Sequence, residues 1–161
     1  MAIARIVNDK IRYTLITFTC EEKTPAALRD VIGERGPRYL VAEIDGQVVG
    51  FATYGAFRGG PGYRHTAEHS IQLAPAAQGR GLGRRLMPPL AYVPLAAATH
   101  VLVASVSGAN PRGIAFHAST GVAAVGRMQH AGRTCGPWVE SALMPECMSA
   151  CRRTAGVGYH G

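Results

Sequence analysis

The spacing of apolar residues predicts two helices at the start of the chain. Residues 3–18 mix apolar and polar positions at roughly helical spacing, and β-branched residues become more frequent toward the end of this segment. Thr24 and Pro25 are typical of an N-cap and the first helical position, where a missing N–H is tolerated. The second helix is therefore expected to begin there and to run to about Ile32, before a segment rich in glycine and proline.

Alternating apolar and polar residues then predict a hairpin and a third strand. Residues 39–44 form a strand-like run, Asp45-Gly46 is a strong signal for a two-residue turn, and residues 47–57 return as the second strand. An irregular loop over 58–64 leads to a strand over 65–73. The alternation along this strand predicts one face with Glu68, Ser70 and Gln72, and another with His69, Ile71 and Leu73.

The second half of the chain is predicted to alternate helices and strands. An apolar, helix-like stretch follows a glycine-rich turn, and its Pro88, Pro89 and Pro94 should shorten or kink it, because an interior proline costs roughly 3 kcal/mol. The rest of the pattern consists of a buried strand over 101–107, a helix from Asn110-Pro111 to about Thr120, and a final pair of strands over 122–125 and 138–144.

This order of elements predicts a mixed α/β domain with a largely antiparallel central sheet flanked by helices. The 161 residues fit a single domain over 1–144 with a tail of unknown structure over 145–161, and 47% hydrophobic residues suffice for a core without disulfides or metal. No window approaches the roughly 18 apolar residues of a membrane helix, and the first residues lack the pattern of a signal peptide, so we expect a cytoplasmic location.

Charge narrows the class of ligand. The net charge of +7 attracts polyanions, but the sign does not choose between nucleic acid and a phosphorylated cofactor. The cations are scattered and the 7% aromatic residues show no stacking pattern, which favours a small phosphate-bearing ligand over nucleic acid. The four cysteines are expected to be free thiols, and the His and Cys spacings match no zinc pattern, so we expect no metal.

Residues 73–86 are the most informative stretch, because a strand ends, a glycine-rich turn follows and a helix begins. The first N–H groups of a helix have no internal partner and form an anion site, and glycines let the backbone approach phosphate oxygens closely. A plain glycine turn into a helix is the alternative. The P-loop pattern is absent, and a dinucleotide fingerprint would need a glycine where Leu86 stands.

The pattern Gln78-x-x-Gly81-x-Gly83 resembles the acyl-CoA-binding motif of the GCN5-related N-acetyltransferase (GNAT) superfamily. Within that superfamily the chain is similar to the phosphinothricin and methionine sulfoximine acetyltransferases over roughly residues 39–144. The stretches that carry this likeness are 54–58, 62–70 and 132–138, together with Asn110, Phe116-His117 and Gly121.

The resemblance implies an acyl-CoA N-acyltransferase fold with acetyl-CoA as donor, a small amine such as phosphinothricin or methionine sulfoximine as acceptor, and a homodimer. It implies that backbone groups of Ile71, Gln72 and Leu73 pair with the pantetheine arm, and that Asn110 hydrogen-bonds the end of that arm. The residues that it assigns to the pyrophosphate are Gln78, Gly79, Arg80, Gly81, Leu82 and Gly83.

The resemblance also implies catalytic and acceptor-binding residues. Glu68 matches the family's catalytic carboxylate, His117 matches a histidine that faces the acceptor, and Arg58 and Arg64 lie in the loop that meets the acceptor's anionic groups. The chemistry agrees, because an ammonium must lose a proton before it attacks a thioester, and arginine binds carboxylates in bidentate fashion. Each residue also has a plain structural interpretation, as a solvated strand position, a core histidine or a loop cation.

Some positions depart from the family's pattern. Gly121-Val122 stands where the family has Gly-Phe, Gln72 replaces an aromatic residue on the cofactor strand, and the usual strand before the first helix is missing. Two alternatives to an active acetyltransferase therefore stay open: a member that binds CoA without turnover, and a basic nucleic-acid-binding module.

Overall fold

The computed structural model describes residues 2–96 and 99–148 of the chain. Its helices are Ala2–Tyr13 (α1), Pro25–Arg35 (α2), Leu82–Ala96 (α3) and Pro111–Ser119 (α4). Its strands are Tyr39–Ile44 (β1), Gln47–Ala56 (β2), Thr66–Leu73 (β3), Val101–Ser107 (β4), Gly126–Arg133 (β5) and Trp138–Cys147 (β6). From position 149 onward, the predicted tail lies outside the described residues.

The six strands form one sheet in the order β1-β2-β3-β4-β6-β5. Only the neighbours β3 and β4 run parallel in this sheet, which confirms the prediction of a largely antiparallel architecture. The turn between β1 and β2 has positive φ at both central residues, 50° at Asp45 and 72° at Gly46. Both angles suit the two-residue turn that matches the twist of a hairpin, so the local sequence dictates this connection.

The predicted start of α2 is confirmed in detail. The Thr24 hydroxyl accepts a hydrogen bond from the N–H of Ala27 at 3.1 Å, and Pro25 occupies the first turn. The helix continues past the expected end at Ile32 to Arg35, since one interior glycine does not stop a helix. It ends where Gly36 adopts a φ of 49° and donates its N–H to the Ile32 carbonyl.

Two layers of helices cover the two faces of the sheet. On the first face, which we call the α1/α2 face, Ile3, Ile6 and Leu28 pack against Phe51 of β2. On the opposite α3/α4 face, apolar side chains of α3 pack against strands β1 to β4 in a second buried cluster, with Leu90 and Leu102 at 1% and 0% exposure. In the part of the chain described, no helix combines the length and apolar composition needed to cross a membrane.

The prolines were expected to shorten or kink the helix after the glycine loop; the shortening is wrong, because α3 runs for 15 residues, and the kink stays a prediction. Pro88 and Pro89 are exposed on this helix. On the exposed side, water can bond the carbonyl groups that the missing N–H groups leave without partners. Burial of Leu86, Met87 and Leu90 on the other side stabilises the helix against the cost of its prolines.

The strand predicted over 122–125 is also wrong, because β5 begins at Gly126. Val122 is apolar for a different reason: it lies 5% exposed between α4 and the sheet, packed with Ala104, Val106 and Met144. The last strand β6 extends past its predicted end at Met144 to Cys147, and the additional residues pair with the start of β4.

Candidate functional site

The parallel strands β3 and β4 pair over only half of their length. Their ladder runs from the pair Thr66 and Val101 to the pair His69 and Ala104, and beyond it residues 70–73 and 105–107 have no partner across this seam. A cavity of about 1010 Å³ lies at the gap. Backbone groups at the gap can therefore bind a ligand in place of a neighbouring strand, and the volume suits a cofactor-sized molecule.

Residues from both faces of the sheet line this cavity. From the α3/α4 face the lining includes His69, Ile71, Leu73, Ala104, Val106, Asn110, Phe116 and His117. From the α1/α2 face it includes Lys10, Ile16, Ser70, Gln72, Ser105 and Ser107. A molecule bound on one face can thus meet a second molecule that approaches from the other face.

The glycine loop forms the entrance to α3 at the edge of the cavity. Gly79 and Gly81 have φ angles of 73° and 76°, and a Cβ at either position would meet no protein atom within 4 Å. These glycines leave open space beside the free N–H groups of a helix N-terminus, as an anion site requires. Gly83 differs, because a Cβ there would lie 2.9 Å from the Phe116 ring, so this glycine allows α3 and α4 to pack closely.

Some side chains around the glycine loop line the large cavity, and one lines a separate, smaller hollow. Gln78 and Leu82 line the cavity, and the Gln78 amide donates to the Leu73 carbonyl at 3.4 Å, which ties the loop to β3. Arg84 also lines the cavity and donates to the Ser119 carbonyl. Arg80, by contrast, lines a separate hollow of about 250 Å³ beside the turn between β1 and β2.

Asn110 combines a structural role with a place in the cavity. Its side-chain oxygen accepts a hydrogen bond from the N–H of Gly113 at 3.0 Å and so caps α4, the helix that the sequence predicts to begin at Asn110-Pro111. With the oxygen engaged in this cap, the amide NH₂ group remains a donor at the cavity wall.

Two buried histidines lie side by side in the cavity. His69 and His117 are 6% and 7% exposed, and their ring centroids are 5.1 Å apart. Neither ring nitrogen of His69 has a hydrogen-bond partner among the described residues, and neither does Nδ1 of His117. Burial lowers the pKa of His69 to about 3, with a smaller contribution from His117, and burial also lowers the pKa of His117. Burial therefore keeps both rings in the neutral form at neutral pH and opposes their protonation.

Sequence reasoning identified His117 but not His69. The signal for His69 was its position on the same strand face as Ile71, where a histidine is unexpected. Glu68, the predicted catalytic carboxylate, points to the α1/α2 face between Gly55 of β2 and Val103 of β4. It is half-buried, two residues before Ser70 on the same face, and it does not line the cavity itself.

The structure does not bring the two predicted acceptor-binding arginines into the cavity. The guanidinium of Arg58 lies over the rings of Phe57 and Tyr63, at 5.0 and 5.7 Å, and Arg64 donates to the ring of His65. The cations that line the cavity are Lys10, Arg84 and Arg112, and no Asp or Glu of the described chain lines it. Across residues 2–96 and 99–148, no group of three His, Cys, Asp or Glu side chains could hold a metal ion.

Most of the chain is similar to known proteins. The family model described as acetyltransferase (GNAT) family matches residues 5–122. The chain is 37% identical over 146 residues to the L-methionine sulfoximine/L-methionine sulfone acetyltransferase of Salmonella typhimurium, with 89% of this chain and 85% of the relative covered. It is 33% identical, with the same coverage, to the L-amino acid N-acyltransferase MnaT of Escherichia coli.

A solved structure matches the fold over nearly all of the chain. The phosphinothricin acetyltransferase of Sinorhizobium meliloti, solved in complex with acetyl-CoA, superimposes with a TM-score of 0.83 at 29% identity. The match covers 91% of this chain and 81% of that one.

Proposed function

The chain belongs to the acetyltransferase (GNAT) family, and from that premise we propose that it transfers the acetyl group of acetyl-CoA to the primary amine of a small amino-acid-like acceptor. Phosphinothricin and methionine sulfoximine are the first acceptors to test, because relatives with this architecture carry those names. The observation that carries the proposal is the gap between β3 and β4, whose cavity is lined by a glycine loop at a helix N-terminus on one face and by residues of the other face as well.

The lining of the cavity fits acetyl-CoA, which supplies a thioester as the acetyl donor. The N-terminus of α3, with Gly79 and Gly81, would hold the pyrophosphate. The backbone of β3 over 71–73, which has no strand partner on its β4 side, would pair with the amides of pantetheine, and the Asn110 amide would donate to the same arm. The absence of carboxylates from the described lining favours a polyanionic ligand further.

The two substrates would bind on opposite faces of the sheet. The glycine loop, Asn110 and Phe116 all lie on the α3/α4 face, so the donor would enter from that side. The acceptor would then approach from the α1/α2 face, where Glu68 lies. We assign Glu68 the removal of the ammonium proton through a water molecule, since its side chain stands back from the cavity wall.

His117 lies on the donor face beside the point where the strands separate. As a neutral imidazole it would offer an N–H or a lone pair at the reacting centre. The role of Arg58 and Arg64 in binding the acceptor stays a prediction, since both arginines lie outside the cavity.

The direct test is release of free thiol from acetyl-CoA on addition of candidate amines. We expect methionine sulfoximine or phosphinothricin to release thiol well above the rate of the chain with acetyl-CoA alone. If the protein binds acetyl-CoA in calorimetry but no amine releases thiol, it is a family member that binds CoA without turnover. If it binds duplex DNA and does not bind acetyl-CoA, the alternative of a basic nucleic-acid-binding module holds instead.

A further inference from the structure

Lys10 enters the cavity from the α1/α2 face. It lies in the last turn of α1, four residues after Ile6 and seven after Ile3, both of which are buried against the sheet. Positions at this spacing share one stripe of a helix, so Lys10 continues the inward-facing stripe of α1 to the edge of the cavity.

The end of α1 fixes the position of this lysine. The Lys10 carbonyl accepts hydrogen bonds from both the N–H and the hydroxyl of Thr14, at 3.2 and 2.5 Å, and these bonds close the last turn. The segment that follows is held against the sheet as well, because the Ser107 hydroxyl donates to the Leu15 carbonyl at 2.8 Å. Lys10 therefore extends into the cavity from a turn whose backbone is hydrogen-bonded on both sides.

The Lys10 ammonium has no hydrogen bond or ion pair with any described residue. Arg12, in the same turn, forms an ion pair with Glu22 at the surface. Partial burial lowers the pKa of Lys10, and the adjacent Asp9 carboxylate opposes this effect. A partly desolvated cation without a direct partner is costly, and an anion bound beside it would offset that cost.

We propose that Lys10 binds the carboxylate of the acceptor and thereby makes the site selective for amino acids over simple amines. This inference rests on the proposed function and names the residue that sets its acceptor class. The other two lining cations, Arg84 and Arg112, belong to α3 and α4, on the side of the anion-binding loop. Their charge is therefore placed for the phosphates of the donor, and Lys10 supplies positive charge on the acceptor's side.

The test compares methionine sulfoximine with its carboxamide, which keeps the amine and loses the negative charge. For Lys10→Met we expect kcat/KM to fall about tenfold to one-hundredfold with the acid, as loss of a charge-assisted hydrogen bond implies, and to change little with the carboxamide. Binding of the acid to the CoA-saturated protein, followed by calorimetry, should weaken by a similar factor. Lys10→Arg should retain most of both.

Arg12→Met is the matched control, because it removes a cation from the same helical turn that does not line the cavity. It should leave the preference for the acid unchanged. The proposal is overturned if Lys10→Met keeps that preference, or if it raises the KM of acetyl-CoA as much as that of the acceptor, which would make Lys10 a phosphate ligand. Failure of the proposed function is distinct: the unmodified chain would then bind CoA and release no thiol with any amine.

Discussion

Glu68 and His69 are adjacent in sequence but lie on opposite faces of β3, so each belongs to a different side of the split sheet. Glu68 shares the α1/α2 face with Ser70, which lines the cavity, while His69 contacts His117 on the α3/α4 face. If the donor and acceptor bind as proposed, this division places a carboxylate on the acceptor side and two neutral imidazoles on the donor side.

Replacement of Glu68 by glutamine tests the base directly. We expect Glu68→Gln to keep acetyl-CoA binding and to lower kcat by about 10²–10⁴-fold, the usual contribution of a positioned general base. The loss should shrink as pH rises, because more of the acceptor is then already deprotonated. Glu43→Gln, at an exposed position on β1, is the control. Wild-type kcat in Glu68→Gln at neutral pH, with chemistry shown to be rate-limiting, would place the base elsewhere, with His117 as the next candidate.

The lowered pKa of His69 should make the free energy of unfolding depend on pH. Its folded pKa of about 3 lies below the ordinary value of about 6.5 that it regains on unfolding, so between these values the unfolded chain binds more protons. The free energy of unfolding should therefore fall as pH falls through this window, by up to about 1.4 kcal/mol per pH unit from this residue. His117 contributes in the same direction.

Urea unfolding at several pH values checks this expectation. The slope between about pH 6 and about pH 4 should be reduced in His69→Phe, which keeps an aromatic ring against His117 and removes the titrating nitrogens. His130→Asn, which changes an exposed histidine at a positive φ of 49° that asparagine tolerates, should retain the wild-type slope. Equal slopes in His69→Phe and the wild type would show that burial of His69 is not linked to acid unfolding.

At the scale of single elements, the loop before α3 depends on glycine for two different reasons. Gly81 has a left-handed backbone and open space around it, whereas Gly83 has Phe116 of α4 against it. The open space at Gly81 leaves room for a ligand, whereas the missing side chain at Gly83 leaves room for the neighbouring helix α4. Substitutions at the two positions should therefore affect different properties of the protein.

Gly81→Ala and Gly46→Ala form a matched pair for this loop. Both glycines have similar φ angles, 76° and 72°, and a Cβ at either would meet no protein atom within 4 Å. Each substitution should cost roughly 1 kcal/mol of stability through backbone strain. Only Gly81→Ala should also weaken acetyl-CoA binding, by about tenfold or more if it displaces one charge-assisted hydrogen bond. Equal CoA affinities in the two variants, measured by calorimetry, would remove the loop from the donor site.

At the scale of the whole molecule, the proposed donor site joins segments that are distant in the chain. It combines the end of β3, the start of α3 and the cap of α4, which lie together only in the folded protein. A ligand of this site should therefore bind the native state and not the unfolded chain. Binding and folding are then linked by mass action.

Acetyl-CoA at about 100 times its Kd should raise the free energy of unfolding by about 2.7 kcal/mol. Denaturant unfolding with and without the ligand measures this gain. A short acetyl thioester without the nucleotide should give little stabilisation at the same concentration, because it lacks the phosphates that the loop before α3 would bind. Equal stabilisation by both compounds would contradict the assignment of the phosphate site.

The sequence alone determined features whose causes act over a few residues. The cap at Thr24, the turn at Asp45-Gly46 and the start of α4 at Asn110 were predicted and are present, because cap and turn chemistry is local. The glycine loop before α3 was predicted for the same reason, and its resemblance to an acyl-CoA motif identified the family that the comparison confirms.

Tertiary structure decided which side chains share the cavity, because that depends on packing between segments that are far apart in sequence. Lys10 enters it because α1 docks on one face of the sheet, and His69 meets His117 because α4 docks on the other. Arg58, which the family resemblance assigned to the acceptor, lies over two aromatic rings outside the cavity, and Arg64, assigned likewise, bonds the neighbouring His65. Burial likewise made Val122 a core residue instead of a strand residue and kept α3 helical despite its prolines, since long-range packing outweighs local propensity where the two disagree.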